Sequence, residues 1–306
     1  MNKTILFFTT HIINKAIISE YKKLSDIENF DTILNLDNSG CRFSKDTLNP
    51  IQELEFYGEK FKCFLFDENI CNSLNLPKLS CKNDNDFKNI MWSNGDYRFY
   101  PVRKFFPEYD FYWQTEYDIF CNGSYKPFFE QYKDDSADLI IQESALNSEK
   151  TIEEWFWYKK TDWIYKNTKK YRSFFPIERL SARAIDFLYE KRLCHGKIFS
   201  QLNDKTENRW INCELFVPTE LINNGFSYRY FEEYLYYKPE IDLNNNRIFE
   251  KQDNRLYHPI KSNYIERLEN LTKENNELKQ QIKELEYFKI NILGIKIKIK
   301  RKIKNV

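Results

Sequence analysis

Residues 113–120 read Trp-Gln-Thr-Glu-Tyr-Asp-Ile-Phe and follow an aromatic run that is typical of a buried strand. Residues two apart along a strand face the same side, so we expect Glu116 and Asp118 to project together. If the strand ends at Thr115, both carboxylates lie at its carboxyl edge, where open α/β sheets bind ligands. Two hard oxygen ligands there can hold a divalent cation that takes its remaining ligands from water and phosphate. The pattern predicts an enzyme with a nucleoside diphosphate leaving group; the alternative is a surface carboxylate pair bonded to nearby Lys and Arg.

The composition describes a folded chain with no overall preference for nucleic acid. It has 306 residues, 42% of them hydrophobic and 17% aromatic, which is enough for a sizeable core and excludes global disorder. The formal charge of +1 gives no case for a nucleic-acid partner. Seven scattered cysteines and the lack of a secretory leader predict reduced thiols and a cytoplasmic protein. No apolar stretch is long enough to predict a transmembrane helix.

Short apolar runs separated by turns predict an α/β fold of Rossmann type. The runs cover 5–9, 32–36 and 61–66, and apolar residues at helical spacing follow the first run. Strand, helix and strand joined by short turns favour a parallel unit flanked by helices. The dinucleotide fingerprint Gly-x-Gly-x-x-Gly is absent.

The sequence changes character after Pro259. Leu268, Asn275 and Ile282 at heptad position a, with Leu271, Leu278 and Leu285 at d, predict a coiled-coil helix over 263–287. A coil that forms a homodimer and a lone helix packed on the domain both remain open. The basic tail, 288–306, carries seven of the 47 Lys/Arg residues and no Asp/Glu. Its Ile/Lys alternation favours an edge strand or a disordered tail, and such a tail can also rest on an anionic membrane surface.

Several short blocks, in their order along the chain, resemble GT-A-type glycosyltransferases encoded among bacterial capsule and lipooligosaccharide genes. The blocks are KTILFFTTH at 3–11, WSNGDYR at 92–98, YWQTEYD at 112–118, NCELFVPT at 212–219 and YHPIK at 257–261. The resemblance implies a catalytic domain over 1–262 with a mixed sheet flanked by helices. It also implies a nucleotide-sugar donor, a glycan acceptor that can be lipid-linked, and Mn²⁺ or Mg²⁺ on the diphosphate. Family members use Asp-x-Asp, whereas Glu116 takes the first position here and reaches one carbon further.

The resemblance assigns metal and donor roles to particular residues. Asp118 is expected to bind the metal, Glu116 the metal or the donor, and His258 to close over the metal; the alternative for His258 is a loop residue with a local hydrogen bond. The remaining expected donor-binding residues are Thr9, Thr10, His11, Asn94, Asp96 and Arg98. Asn94-Gly95-Asp96 is also an ordinary turn sequence.

Glu214 is the predicted general base. It lies in an apolar run, 213–217, that reads as a strand before a helix beginning at Pro218. A desolvated carboxylate there can take the proton of an acceptor hydroxyl, which predicts direct attack with inversion. The alternative is a structural glutamate that accepts hydrogen bonds from backbone amides or pairs with Arg209.

Two other functional classes remain open at this point. One is a metal-dependent nucleotidyltransferase or phosphohydrolase that uses the same carboxylates. The other is a non-enzymatic assembly factor in which the coiled coil is the functional part. A transferase would act in the cytoplasm, at the inner face of the membrane, where the tail and coil would hold it near a lipid-linked acceptor.

Overall fold

The computed structural model describes residues 3–46, 49–82, 86–143, 149–202, 208–231, 235–237, 254–260, 274–282, 287–292 and 295–300. The chain divides into two compact units, Met1–Pro259 and Ile260–Val306. The division falls shortly before residue 262, the predicted end of the catalytic domain.

The first unit alternates strands and helices along the chain. Its strands are β1 (Thr4–Thr10), β2 (Phe30–Asp37), β3 (Ile51–Phe56), β4 (Glu59–Phe66), β5 (Phe111–Glu116), β6 (Phe120–Cys121), β7 (Leu139–Glu143), β8 (Ser173–Ser181), β9 (Tyr228–Phe231), β10 (Leu235–Tyr237) and β11 (Leu256–His258). Its α-helices are α1 (Lys15–Ser25), α2 (Glu68–Ser73), α3 (Phe87–Ser93), α4 (Phe99–Phe105), α5 (Lys126–Glu130), α6 (Glu149–Glu154), α7 (Phe156–Lys160), α8 (Asp162–Tyr165), α9 (Ala182–Ser200) and α10 (Cys213–Asn223).

An eight-stranded mixed sheet forms the centre of this unit, with strand order β3-β4-β2-β1-β5-β8-β7-β9. β1 pairs in parallel with β2 on one side and with β5 on the other, and β2 pairs in parallel with β4. The expected α/β class, a mixed sheet flanked by helices, is confirmed. The chain moves outward from β1 through β2 to β4 and then returns to the other side of β1, so the strand order reverses between β1 and β5. The carboxyl end of such a switch point is where open α/β sheets bind ligands.

The central strands are buried on both faces, which explains why they read as continuous apolar runs. Along β1, Phe7 belongs to the hydrophobic cluster on one face of the sheet and Phe8 to the cluster on the other. All seven residues of β1 are buried.

α10 corrects the prediction of a strand over 213–217 followed by a helix from Pro218. One helix runs over Cys213–Asn223 with Pro218 inside it. The Asn212 side chain begins the helix by accepting a hydrogen bond from the Glu214 backbone N–H at 2.7 Å. A short run of consecutive apolar residues fits either a buried strand or a buried helix turn, and here the cap decides for the helix.

A buried ion pair joins α9 to the segment before α4. Arg192 Nε and Nη2 donate to the two carboxylate oxygens of Asp96, each at 2.8 Å, and both side chains are fully buried. Tyr100 Oη donates to Asp96 Oδ2 at 2.5 Å. Asp96 lies in a 3₁₀ turn over Gly95–Arg98, so the pair fixes the turn that carries Arg98.

The second unit contains a helix over 274–282 and a β-hairpin. Within the helix, Leu278 at heptad position d and Ile282 at position a are 56% and 51% exposed, so these two apolar side chains are accessible to solvent. Leu268, Leu271 and Leu285 lie outside the described residues, and pairing through the coil stays a prediction. The hairpin consists of β12 (Tyr287–Ile292) and β13 (Ile295–Lys300), so β12 starts at the residue where the coil was expected to end. In the part of the chain that is described, no helix is long and apolar enough to cross a bilayer.

We expect Arg192→Met to lower the free energy of unfolding by about 3–5 kcal/mol, because it leaves the buried Asp96 carboxylate without its cation. Urea denaturation measures this loss. The double variant Asp96→Asn/Arg192→Met should recover most of it, since no unpaired charge remains. A double variant as unstable as the single one would show that the charge is not the cause.

Candidate functional site

Three potential metal ligands meet at the carboxyl end of β5. Glu116 is the last residue of β5, Asp118 lies in the turn after it, and His258 is the last residue of β11. One ligand atom from each side chain lies within 4.8 Å of the others. The side chains of Glu116, Asp118 and His258 are 29%, 15% and 12% exposed, so they are shielded but still open to solvent. Asp118 approaches Glu116 because the chain turns after β5. The expected cause, a strand that continues and places residues two apart on one face, does not apply.

The pairing of β6 with β11 brings His258 to this edge. Residues 256–257 pair antiparallel with residues 120–121, directly after the Glu116–Asp118 turn. The backbone of Asn122 exchanges two further hydrogen bonds with residues 254–255, at 2.9 and 3.0 Å. Gly123 permits this approach, because a Cβ atom there would lie 2.3 Å from Asn254 Oδ1.

The buried side chain of Glu20 in α1 fixes the same segment from the other side. Glu20 Oε2 accepts hydrogen bonds from the Cys121 N–H at 3.2 Å and from Tyr125 Oη at 2.9 Å. Lys23 Nζ donates to the Cys121 carbonyl oxygen at 3.2 Å. The first helix therefore holds the strand that positions His258.

The imidazole of His258 faces Asp118 across the site. Its Nε2 atom lies 3.3 Å from Asp118 Oδ1, and its ring meets the ring of Phe174 edge-on, with centroids 5.1 Å apart. Nδ1 is buried and makes no hydrogen bond with the described part of the chain. A nitrogen placed against a carboxylate in this way can serve as a metal ligand.

A cleft opens beside this cluster at the ends of the parallel strands β1, β2, β4 and β5. It is lined by Thr9, Thr10, His11, Asn35, Asp37, Phe66, Met91, Arg98, Glu116 and Tyr117. Five of the residues expected to bind the donor therefore share one cavity: Thr9, Thr10, His11, Arg98 and Glu116. Burial, together with Arg42 and Arg98, lowers the pKa of His11, which keeps its imidazole neutral near pH 7.

Asn94 and Asp96 lie below the cleft surface instead of lining it. Both are fully buried. The Asn94 amide donates to two backbone carbonyl oxygens, each at 2.8 Å, and its oxygen accepts from Trp210 Nε1 at 2.7 Å. Because Asp96 is also engaged by Arg192, this geometry does not favour the expected direct contact of either residue with a donor. Both instead hold the turn that ends at Arg98.

Arg98 connects that turn to the acidic cluster. Its Nη1 atom donates to Glu116 Oε1 at 2.8 Å. Burial raises the pKa of Glu116; Arg98 opposes this shift and Asp118 adds to it. The carboxylates are therefore crowded in a partly desolvated place where a cation would stabilise them.

Glu214 lies in the first turn of α10, close enough to the cluster to respond to its charge. Burial raises the pKa of Glu214 to about 7, Arg172 opposes the shift, and Glu116 and His258 contribute in opposite directions. Its Oε2 atom lies 3.8 Å from Arg172 Nη2, so the nearby cation is Arg172 and not the expected Arg209. A carboxyl group with this pKa can exchange a proton near neutral pH.

Sequence reasoning missed two cleft residues at the end of β2. Asn35 donates through its side-chain amide to Thr9 Oγ1 at 3.2 Å, and its own oxygen is buried without a hydrogen-bond partner among the described residues. Asp37 lines the same cleft. Asp37 directly follows the apolar run 32–36, so the strand-end rule applied to Glu116 would have found it.

Glu178 is a second omission, in the middle of β8. It is fully buried opposite Gln114 in the pairing of β5 with β8, and neither of its oxygens hydrogen-bonds with the described part of the chain. The register between β7 and β8 shifts immediately beyond it. Burial, with a further contribution from Glu116, raises the pKa of Glu178 well above its ordinary value, so the site favours the protonated form of this group. The available signal was an acid within the mostly apolar segment 174–180.

Comparison with known proteins gives likenesses of structure alone. No protein-family model matches the chain, and no curated protein matches its sequence. The structure is similar to mouse xyloside xylosyltransferase 1 in its apo form, with a TM-score of 0.42 and 12% identity over 84% of this chain and 97% of that one. It is also similar to a glycosyltransferase involved in glycosylation of the major capsid of PBCV-1, with a TM-score of 0.41 and 8% identity over 86% and 98% of the two chains. At these values neither likeness extends to what this chain binds or catalyses.

We expect Glu178→Gln to flatten the dependence of stability on pH. The folded state holds the Glu178 proton above the ordinary glutamate pKa, where the unfolded chain has released it, so this group lowers stability as pH rises, by at most about 1.4 kcal/mol per pH unit. Thermal melts of wild type and variant between pH 5 and 8 measure the difference, which should grow with pH in favour of the variant. Parallel curves would contradict the buried protonated acid.

Proposed function

We propose that this chain is a metal-dependent glycosyltransferase of GT-A type that moves a sugar from a nucleoside-diphosphate donor to a cell-surface glycan, a capsule or a lipooligosaccharide. The observation that carries the proposal is the convergence of Glu116, Asp118 and His258 within 4.8 Å, at the carboxyl edge of the sheet and next to a cleft. The strand order reverses there between β1 and β5, which is the expected place for a nucleotide.

The ligand set fits a divalent cation such as Mn²⁺ or Mg²⁺. Two carboxylates supply hard oxygen ligands, and the imidazole of His258 can supply a third protein ligand, leaving other positions for water and phosphate. The buried Asp118 Oδ1 atom makes no hydrogen bond with described residues and lies 3.3 Å from His258 Nε2, so a cation between these two atoms would give both of them a partner. When bound, such an ion would stabilise negative charge on a departing diphosphate.

The cleft residues suit the rest of a nucleotide donor. Arg98 beside Glu116 can donate to phosphate oxygens, since a guanidinium matches phosphate geometry. Thr9, Thr10 and His11 at the end of β1 offer polar groups to a nucleoside, and Asp37 offers an acceptor for ribose hydroxyls or base N–H groups. These are the contacts by which we expect the chain to orient the donor.

Glu214 is the group we assign to the acceptor. Its carboxylate would take the proton from the acceptor hydroxyl while that oxygen forms a bond to the anomeric carbon. The bond from the anomeric carbon to the phosphate oxygen breaks, and its electron pair leaves with the nucleoside diphosphate. Direct attack of this kind inverts the anomeric configuration.

A phosphohydrolase is less well supported by the same geometry. Two-metal hydrolytic sites need ligands for ions about 3.5–4 Å apart. Among the described residues, one group of three such ligands occurs, and it is the Glu116–Asp118–His258 group. A role as a coiled-coil assembly factor alone would not account for the cleft or for the three potential metal ligands beside it.

Dimerisation through 263–287 stays part of the proposal. Its support is the exposure of Leu278 and Ile282, at adjacent d and a positions of the seam. Light scattering of the full chain and of a chain ending at Ile260 tests it. The shorter chain should have the mass of a monomer, and an unchanged oligomeric state would contradict the coil dimer.

Asp118→Asn should lower the apparent affinity for Mn²⁺ by about 100-fold or more, because the loss of a direct ligand should cost at least as much as the loss of its supporting contacts. Thermal shift with Mn²⁺ and a series of UDP- and GDP-sugars measures this, and sugar transfer to extracted glycan should fall with it. Asp186→Asn is the matched control, since it makes the same change at a side chain that is 57% exposed in α9. Equal stabilisation of wild type and Asp118→Asn by metal and donor would remove the metal assignment.

Glu214→Gln should lower kcat by roughly 10²–10⁴-fold while leaving stabilisation by the donor unchanged, because it removes the base and keeps the fold. In the wild type, kcat should fall as pH drops through about 7, where the Glu214 carboxylate becomes protonated. A pH–rate profile checks the sign, with exposed Glu190→Gln as control. A variant with wild-type kcat and the same profile would exclude Glu214 as the base.

A further inference from the structure

The hairpin of the second unit separates its residues by polarity. In its antiparallel register, the three apolar pairs are Phe288 with Ile299, Ile290 with Ile297, and Ile292 with Ile295. The alternating polar pairs are Tyr287 with Lys300, Lys289 with Lys298, and Asn291 with Lys296. Directly opposed residues share a face and successive residues alternate, so the apolar pairs occupy one face and the polar pairs the other.

Both faces of this hairpin make it unstable by itself in water. A two-stranded hairpin is marginal unless another layer covers its apolar face. On the other face, Lys289 is directly opposite Lys298, and opposed like charges are destabilising. No Asp or Glu occurs in 287–306 to neutralise them. A partner that stabilises the hairpin must therefore cover its apolar face and also supply negative charge to its lysines.

We infer that the hairpin 287–300 docks the protein on an anionic lipid bilayer. Its Phe/Ile face would lie at the boundary of the acyl chains, and its lysines would lie at the level of the headgroups, which long lysine side chains generally reach. The inference goes beyond the proposed glycosyl transfer and does not depend on it. The sequence alone indicated a basic tail, whereas the structure shows a hairpin whose strand pairing defines an apolar and a basic face.

The dimensions of the hairpin limit it to the membrane interface. Strands of six residues are about 20 Å long, whereas the hydrocarbon core is about 30 Å thick. A two-stranded sheet also has open edges, which hydrocarbon does not tolerate. Docking parallel to the surface satisfies both limits.

Charge and apolar area together favour a bilayer over the other possible occupants. Nucleic acid would neutralise the lysines but leave the six apolar positions uncovered. A second copy of the hairpin would cover the apolar face but would bring two lysine-rich faces into one assembly. Anionic lipid supplies what each of these lacks.

The test is flotation of the full chain with vesicles of phosphatidylcholine alone and with a third of phosphatidylglycerol, without donor or metal. We expect binding to the anionic vesicles, weakened at 0.5 M salt. Lys296→Gln/Lys298→Gln/Lys300→Gln should weaken binding about 100-fold, from roughly 1 kcal/mol for each cation. The matched control is Lys60→Gln/Lys78→Gln/Lys126→Gln, which removes equal charge from exposed lysines of the first unit and should bind as wild type.

A second variant tests whether binding needs the two separate faces of the hairpin or only its positive charge. The variant Lys296→Ile/Ile297→Lys/Lys298→Ile/Ile299→Lys keeps composition and net charge but mixes the two faces. It should lose most of its binding to anionic vesicles while the melting temperature of the first unit stays constant. Binding equal to wild type would reduce the element to an unstructured polybasic tail and overturn the inference. A lipid-free oligomer that this variant abolishes, with no vesicle binding in wild type, would assign the face to a second copy and overturn it as well.

Discussion

The pairing of two-residue β6 with β11 is the constraint on which the site depends. Without it, Glu116 and Asp118 are two acids at a sheet edge, and His258 is far away along the chain. The pairing is short, so backbone bonds alone would hold it weakly. Glu20 of α1 compensates by accepting from the Cys121 N–H, and Gly123 lets the next residues approach the opposite strand. The position of His258, the third potential ligand, is thus fixed by the first helix of the domain, through buried contacts of residues that do not line the cleft.

Acidic side chains crowd the candidate site. Glu116, Glu178 and Glu214 all have raised pKa values, in each case chiefly because they are buried. Like charges about 4 Å apart repel by about 4 kcal/mol at the dielectric typical of a protein surface, so such acids favour either protons or a cation. Glu178 is the deepest of these acids and its site favours the protonated form, whereas Asp118 and Glu116 reach solvent and are open to a metal. Burial depth, more than residue type, separates these roles.

Residues near one another along a strand were predictable, and residues joined through packing were not. The apolar runs of β1, β2 and β4 identify a parallel unit, and the two acids at the end of β5 follow from the strand-end rule, which also applies to Asp37. In contrast, Glu214 was placed on a strand because the other four residues of 213–217 are apolar, although the Asn212 cap makes the segment helical. Asn94 and Asp96 were expected to contact the donor because of the resemblance to GT-A-type glycosyltransferases, and the alternative was an ordinary turn. Their burial depends on Arg192 and Trp210, nearly a hundred or more positions later, which no local pattern reveals.

The difference between local pattern and packing also explains why the Ile/Lys alternation of the tail fitted both an edge strand and a disordered tail. Ile/Lys alternation from 295 to 300 defines two faces of a strand but not what pairs with it. The register with β12 supplies that missing fact, since a shift by one residue would place lysines opposite isoleucines and mix both faces. A hairpin so divided binds by two modest contributions, apolar contact and charge, each insufficient alone. Reversible attachment of this kind would keep the proposed glycosyltransferase near successive lipid-linked acceptors without fixing it to one of them.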